Sequence, residues 1–322
     1  MKNLKVIILV AFIVIVFAQP VMPALYLDQV DTGIESIFID NCNYITINDA
    51  NLLLGEAQYN GENLDNNIPL RVITNQKDYF VRWDESNIYL STSKPSITRQ
   101  IVGNSYQQRP IEAVYMTPPD YTKTILATFA LHGFEDQYNN DGKILTQIAE
   151  QVIKQYSEQP ELLKFARIII LPCVNPDGVY LGVSKNGFGR CNAQGIDINR
   201  DFDYNWGYIN IPRFKTGEQP FATPEAQILR NLFLKEHPDV VLDFHGWLNC
   251  TYSNDPDLKY SFITNLNLGP EKKPLPGFNP MQGYFYGWVS QYSKAALIEY
   301  PYMDTSILTG QTIQVLNKII QN

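Results

Sequence analysis

Histidine is scarce in this chain: three residues in 322. Any site built from imidazoles therefore has few ways to assemble. Cysteine is nearly as rare. Cys42, Cys173, Cys191 and Cys250 are the full set, and no two form a CxxC pair, which excludes the usual thiolate zinc site. Four cysteines allow three complete pairings, and the sequence chooses none of them; buried free thiols are an equal expectation. Positive charge is also short. With 25 Lys and Arg against 33 Asp and Glu, the net charge of −8 argues against nucleic acid or anionic lipid as the main partner. Internal repeats and low-complexity segments are absent. The apolar run Val6–Ala18, at 13 residues, falls short of the ~20 that span a bilayer.

That run has another reading. "MKNLKVIILVAFIVIVFAQPVMPALYLD" begins with Lys2 and Lys5, continues into the apolar stretch and reaches small residues at Ala18 and Ala24. This is the layout of an export signal over residues 1–24, with the mature chain starting within 19–25. The expectation is a secreted protein with no membrane span after processing. Residues 26–95 read as a small α+β module: a strand, a short helix ending at Gly55, then the strand candidates "LRVIT", "YFVRW" and "IYLST" parted by turn residues. It resembles the stalk-like modules that precede enzymes in some cell-wall-associated bacterial proteins. "STSKPS" (91–96) reads as a linker.

From residue 97 to 322 strands and helices alternate. "TILATFAL" (124–131) and "ARIIILPC" are unbroken apolar runs, as strands covered on both faces require. Between them, "DGKILTQIAEQVIKQY" (141–156) places Ile144, Ile148, Val152 and Ile153 at helical spacing. "TPEAQILRNLFLKEHP" opens with Thr223 as a cap and Pro224 in the first turn, so it predicts a helix. "DVVLDFHG" and "KAALIEYP" are further strands. The pattern predicts an α/β fold, a mainly parallel (mixed) sheet flanked by helices and preceded by the small α+β module.

Chemistry gathers at the strand ends. His132 and Glu135 follow the end of one buried strand, where open α/β sheets build their sites. Both are ordinary zinc ligands, although a capped loop histidine beside a surface acid would give the same pair. His245, in "VVLDFHGW", stands in the same setting as a third candidate. His237, before a proline at a polar helix end, reads as solvated.

These residues, together with "NPDG" (175–178), "GRCNAQGIDINRDF" (189–202) and "LIEYP" (297–301), resemble the zinc carboxypeptidase family, in that order and over residues 97–322. The resemblance implies one Zn2+ per chain on His132, Glu135 and His245. It implies Glu299 as general base and Arg190 as the group that stabilises the oxyanion. It further implies that Asn199 and Arg200 hold the substrate's free carboxylate, and that Asp197 orients a ligating histidine. The family's mobile-loop tyrosine has two candidates, Tyr284 and Tyr286, of which Tyr286 is carried as the substrate-binding one. The implied substrate is a peptide with a free C-terminus. "HGFEDQYNNDG" and "FGRCNAQGIDINRDFDYNW" are most similar to secreted bacterial relatives, which brings in peptidoglycan stem peptides as an alternative substrate and the cell wall as a location. An aminoacylase-like deacylase and a wall-binding module on an inactive fold are further alternatives. A monomer is expected.

Overall fold

The computed structural model describes residues 22–39, 42–55, 66–84, 86–135, 140–269, 271–273 and 281–321. Most of the expected export segment, residues 1–21, lies outside the described residues. The chain divides into two compact units. One takes the described residues up to 78 together with 83–89, and the other takes 79–82 and everything from 90 onward.

The first unit contains β1 (Ala24–Leu27), β2 (Val30–Glu35), β3 (Ile37–Ile39), β4 (Cys42–Thr46), α1 (Ile47–Leu54), β5 (Asn67–Pro69) and α2 (Leu70–Lys77). Thr46 caps α1 by accepting from Asp49 N, and Gly55 ends it at a positive φ of 66°. The stretch "LRVIT", expected as a strand, is the start of α2 instead. Its β-branched residues favour extension, but Leu70, Ile73 and Thr74 are buried at helical spacing, and that burial overrides local preference. Strands β6 (Phe80–Trp83) and β7 (Asn87–Ser91) carry the chain across the division.

The second unit is built on β8 (Ser96–Asn104), β9 (Pro110–Thr117), β10 (Lys123–Phe129), β11 (Ala166–Leu171), β12 (Ser184–Cys191), β13 (Val240–Gly246), β14 (Cys250–Ser253) and β15 (Lys294–Tyr300). Its helices are α3 (Gly142–Glu158), α4 (Pro176–Leu181), α5 (Pro224–Glu236), α6 (Pro256–Leu266), α7 (Phe285–Val289) and α8 (Thr305–Gln321). Seven strands form one sheet in the order β14-β15-β13-β10-β11-β9-β8. The four central strands run parallel, and antiparallel neighbours flank them on each side.

The apolar runs are continuous because each face of this sheet has its own core. Ile125, Ala127 and Phe129 of β10 join one cluster with Leu242, Phe244, Ile298 and the helices α3, α6 and α8. The alternate residues face the other way: Leu126, Ile169, Val241 and Leu297 pack with α5 and α7. Burying one such side chain stabilises the fold by about 2 kcal/mol, so a polar residue inside these strands stands out. Among the described residues no helix is long and apolar enough to cross a membrane. All four cysteines are free thiols.

Candidate active site

Strand order locates the site before any side chain does. β10 is central, and the chain continues to β11 on one side and later to β13 on the other. A parallel sheet opens a crevice at such a reversal, beyond the C-terminal strand ends. His132 and Glu135 follow β10, and His245 is the penultimate residue of β13. On the α5/α7 face, apolar residues give way there to Thr128, Asp243, His245 and Glu299, at alternate positions of their strands.

His132, Glu135 and His245 are all buried, and their candidate ligand atoms lie within 4.8 Å of one another. His132 Nδ1 lies 2.8 Å from Glu135 Oε2, and His245 Nδ1 lies 2.9 Å from Oε1 of the same carboxylate. The other nitrogen of each ring is engaged by a second acid. Asp197 Oδ1 is 2.9 Å from His132 Nε2, and Asp243 Oδ2 is 3.0 Å from His245 Nε2. An ionised carboxylate only accepts, so without a metal both nitrogens of each ring face acceptors; with a cation held between the two Nδ1 atoms and Glu135, each Nε2 would carry the proton toward its acid. Burial pushes the Glu135 carboxyl up, but His132 and His245 outweigh it and hold the group well below the usual range. Burial pushes His245 down, but Asp243 and Glu135 outweigh it and raise the ring well above its ordinary value. Two imidazoles and a carboxylate are a common donor set for a zinc ion that keeps one position open. The residues fit the metal.

The arginines stand beside this group. Arg190 Nη1 donates to Glu135 Oε2 at 3.1 Å, and its Nε lies 3.5 Å from Asp197 Oδ2. Burial pushes Asp197 up, yet His132, Arg190 and Arg200 together hold it well below the carboxylate range. Arg200 donates from Nη1 to Asn199 O at 2.7 Å and from Nη2 to Tyr284 Oη at 3.0 Å. Asn199 Nδ2 is 3.3 Å from His245 Nε2, while its Oδ1 accepts from Phe285 N at 2.8 Å. Glu299 is half-buried on β15, directly paired in register with His245. His237 is exposed and ends α5 in the left-handed region.

Tyr286 is not brought to the arginines. It packs in the apolar cluster with Phe202, Phe285 and Trp288, and burial pushes its hydroxyl up to about 12. The tyrosine on Arg200 is Tyr284, whose ring also lies 4.2 Å from the guanidinium carbon. Tyr284 precedes α7 and Tyr286 lies inside it, so the helix start decides which ring faces the crevice.

Sequence reasoning missed two acids. Asp243 lies two residues before His245 on one strand, so D-x-H on a buried strand was the available signal. Its second oxygen accepts from Thr128 Oγ1 at 2.8 Å. Asp141 stands at the cap position of α3 but makes no side-chain cap bond. It accepts instead from Glu135 N and, at 2.9 Å, from Trp247 Nε1, joining the loops that follow β10 and β13.

The sequence pattern of Peptidase_M14, described as zinc carboxypeptidase, matches residues 87–267. The chain belongs to this family. It is 29% identical over 211 residues to bacteriocin BCN5 of Clostridium perfringens, covering 62% of this chain and 23% of that protein. It is 35% identical over 94 residues to murein peptide amidase A of Escherichia coli K12, covering 25% and 36% respectively. The chain thus spans well under half the length of either relative. The murein-tripeptide amidase of Escherichia coli O157 superposes with a TM-score of 0.52 at 21% identity, over 71% of this chain and 94% of that one. Carboxypeptidase A of Helicoverpa armigera gives 0.53 at 17%, over 69% and 66%. These are likenesses of fold. Membership places the chain among the zinc carboxypeptidase-family hydrolases.

Proposed function

We propose that the chain hydrolyses a peptide bond next to a free carboxylate, with His132, Glu135 and His245 as the zinc ligands. One observation carries this reading: both Nδ1 atoms face a single buried carboxylate, and Arg190 adjoins it. Bound there, zinc supplies a Lewis acid and lowers the pKa of water toward neutrality. Glu299 accepts the proton of the attacking water and passes it to the leaving amine. Support comes from its register with His245, because directly paired residues on neighbouring strands emerge on one face about 5 Å apart. Arg190 donates to the carbonyl oxygen as negative charge develops on it. Arg200 holds the terminal carboxylate, Asn199 O and Tyr284 Oη keep that guanidinium in place, and Asp197 and Asp243 hold the two imidazoles with Nε2 protonated. Residues 97–322 carry this chemistry in our reading. Residues 26–95, apart from 79–82 and 90–95, which fall in the other compact unit, form a separate module, and residues 1–24 direct export.

A second reading has its own support. Similarity to murein peptide amidase A at 35% identity favours peptidoglycan stem peptides as the substrate, at or near the cell wall. The test is to incubate the zinc-loaded chain with a peptide bearing a free C-terminus, its C-terminal amide and a stem peptide, reading products by mass. Release of single C-terminal residues from the free acid supports the first reading, and cleavage of the stem peptide alone supports the second. Zinc bound with all three peptides intact would overturn both and leave the deacylase or wall-binding alternatives.

A further inference from the structure

One buried acid has no part in the proposed chemistry. Asp141 is fully buried and stands where a side chain would ordinarily cap α3, yet it makes no cap bond to that helix. Forgoing a cap weakens a helix, so the explanation lies in what the carboxylate touches instead. Its two oxygens serve two different loops. Oδ1 accepts from Glu135 N, six residues back, and Oδ2 accepts from Trp247 Nε1 at 2.9 Å, 106 residues ahead. The next residue closes the same corner. Gly142 N donates to Gly133 O at 3.0 Å, and a Cβ on Gly142 would stand 2.5 Å from His132 O. Trp247 in turn lies two residues past His245, and its ring packs against that of Tyr300, the neighbour of Glu299, with centroids 6.4 Å apart. Asp141 and Gly142 together thus meet the segments that carry all three zinc-ligand candidates.

Resting on the ligand assignment proposed above, we infer that Asp141 is a positioning residue for the metal. It fixes the Glu135 loop against the His245 loop and so holds the three ligand groups within 4.8 Å of one another. Hydrogen-bonding capacity explains why an acid stands there. Both partners are N–H donors, so both oxygens accept. A carboxylate can do this, whereas an asparagine offers one acceptor oxygen and turns an NH2 group toward the other donor. In a buried corner that mismatch is costly, and one loop or the other has to move.

The test measures zinc affinity by competition with a chromophoric chelator. Beside it stand the visible absorption of the Co2+-loaded chain, whose bands follow ligand geometry, and Tm of the metal-free chain. The variants are Asp141→Asn, Trp247→Phe and the two combined; Trp247→Phe removes the indole N–H and keeps an aromatic ring. Asp141→Asn should weaken zinc binding about tenfold or more, as loss of a group that orients a ligand does, and shift the Co2+ bands. Trp247→Phe should do the same to a smaller degree. The combined variant should bind no more weakly than Asp141→Asn, because both changes break one link. Unchanged affinity and unchanged Co2+ bands in both single variants, with only Tm of the metal-free chain lowered, would make Asp141 a staple of the fold and overturn the proposal. Losses that multiply in the combined variant would also overturn it, since the two residues would then act apart. If Asp141→Asn fails to fold, Trp247→Phe decides by the same readouts. A wild type that binds no zinc overturns the ligand assignment and the proposal with it, whereas zinc bound equally by wild type and variants overturns the proposal alone.

Discussion

Gly133 sits between two of the proposed zinc ligands, and a single methyl there should disable the site. Its backbone is held from two sides, since its N donates to Gly189 O at 2.9 Å and its O accepts from Gly142 N at 3.0 Å. A Cβ on Gly133 would meet the backbone of Gly178, from the "NPDG" turn, and would stand 2.5 Å from Val179 N, where real Cβ contacts stay beyond 3.0 Å. Backbone cannot swing aside as a flexible side chain can. Reaching an ordinary contact at ~3.5 Å requires the segments to part by roughly 1 Å. Overpacking of that kind costs about 1–3 kcal/mol, which in a domain of this size lowers Tm by roughly 2–12 °C. Moving the ligand loop by ~1 Å costs about 10²-fold in activity. Gly133→Ala should therefore lose zinc affinity and turnover together, measured by metal content, calorimetry and peptide hydrolysis. Gly310→Ala is the control. That glycine lies inside α8 with nothing within 4 Å of an added Cβ, so the change should stabilise by about 0.5–1 kcal/mol and leave hydrolysis intact. If Gly133→Ala binds zinc and turns over within twofold of the wild type, the close glycine contact does not set the ligand positions.

Asp243→Asn removes the negative charge behind His245, and zinc affinity should fall about 10–100-fold by competition with a chromophoric chelator. Removing zinc with a chelator should lower Tm and abolish hydrolysis together; at a free-ion concentration a thousandfold above Kd the lost stabilisation is about 4 kcal/mol. Asp201 gives a pH dependence. Burial pushes its carboxyl up to about 6, although it accepts from Ala222 N, Thr223 N and Thr223 Oγ1. The folded chain then holds this proton more tightly than the unfolded chain does. Its contribution, about 3 kcal/mol, is complete below pH ~4 and lost as pH rises through ~6. Asp201→Asn should flatten that part of the curve of stability against pH in chemical denaturation.

The central strands were legible in the sequence because burial on both faces demands unbroken apolar runs. β10, β11, β13 and β15 have them, and the polar residues that interrupt or follow these runs mark the sheet's C-terminal edge. That placement made His132, Glu135 and His245 candidates, and the family resemblance added Glu299. Contacts between distant segments could not be read that way. Asp141 stands just ahead of α3, yet its carboxylate faces Trp247, 106 residues away. Tyr284 and Tyr286 are equivalent by composition, and only the start of α7 turns one toward Arg200 and the other into the core. The "LRVIT" stretch reads as a strand because three β-branched residues adjoin, while its helical burial depends on neighbours that local pattern does not reveal.

The most direct test of the central claim is hydrolysis of a free-C-terminal peptide by the wild type and by Glu299→Gln, with zinc content determined on the same samples. The account predicts one zinc per chain in both, with turnover reduced by about 10² or more in the variant, the loss expected when an acid–base group is removed. Equal turnover at equal zinc content would remove Glu299 from the chemistry and contradict the account.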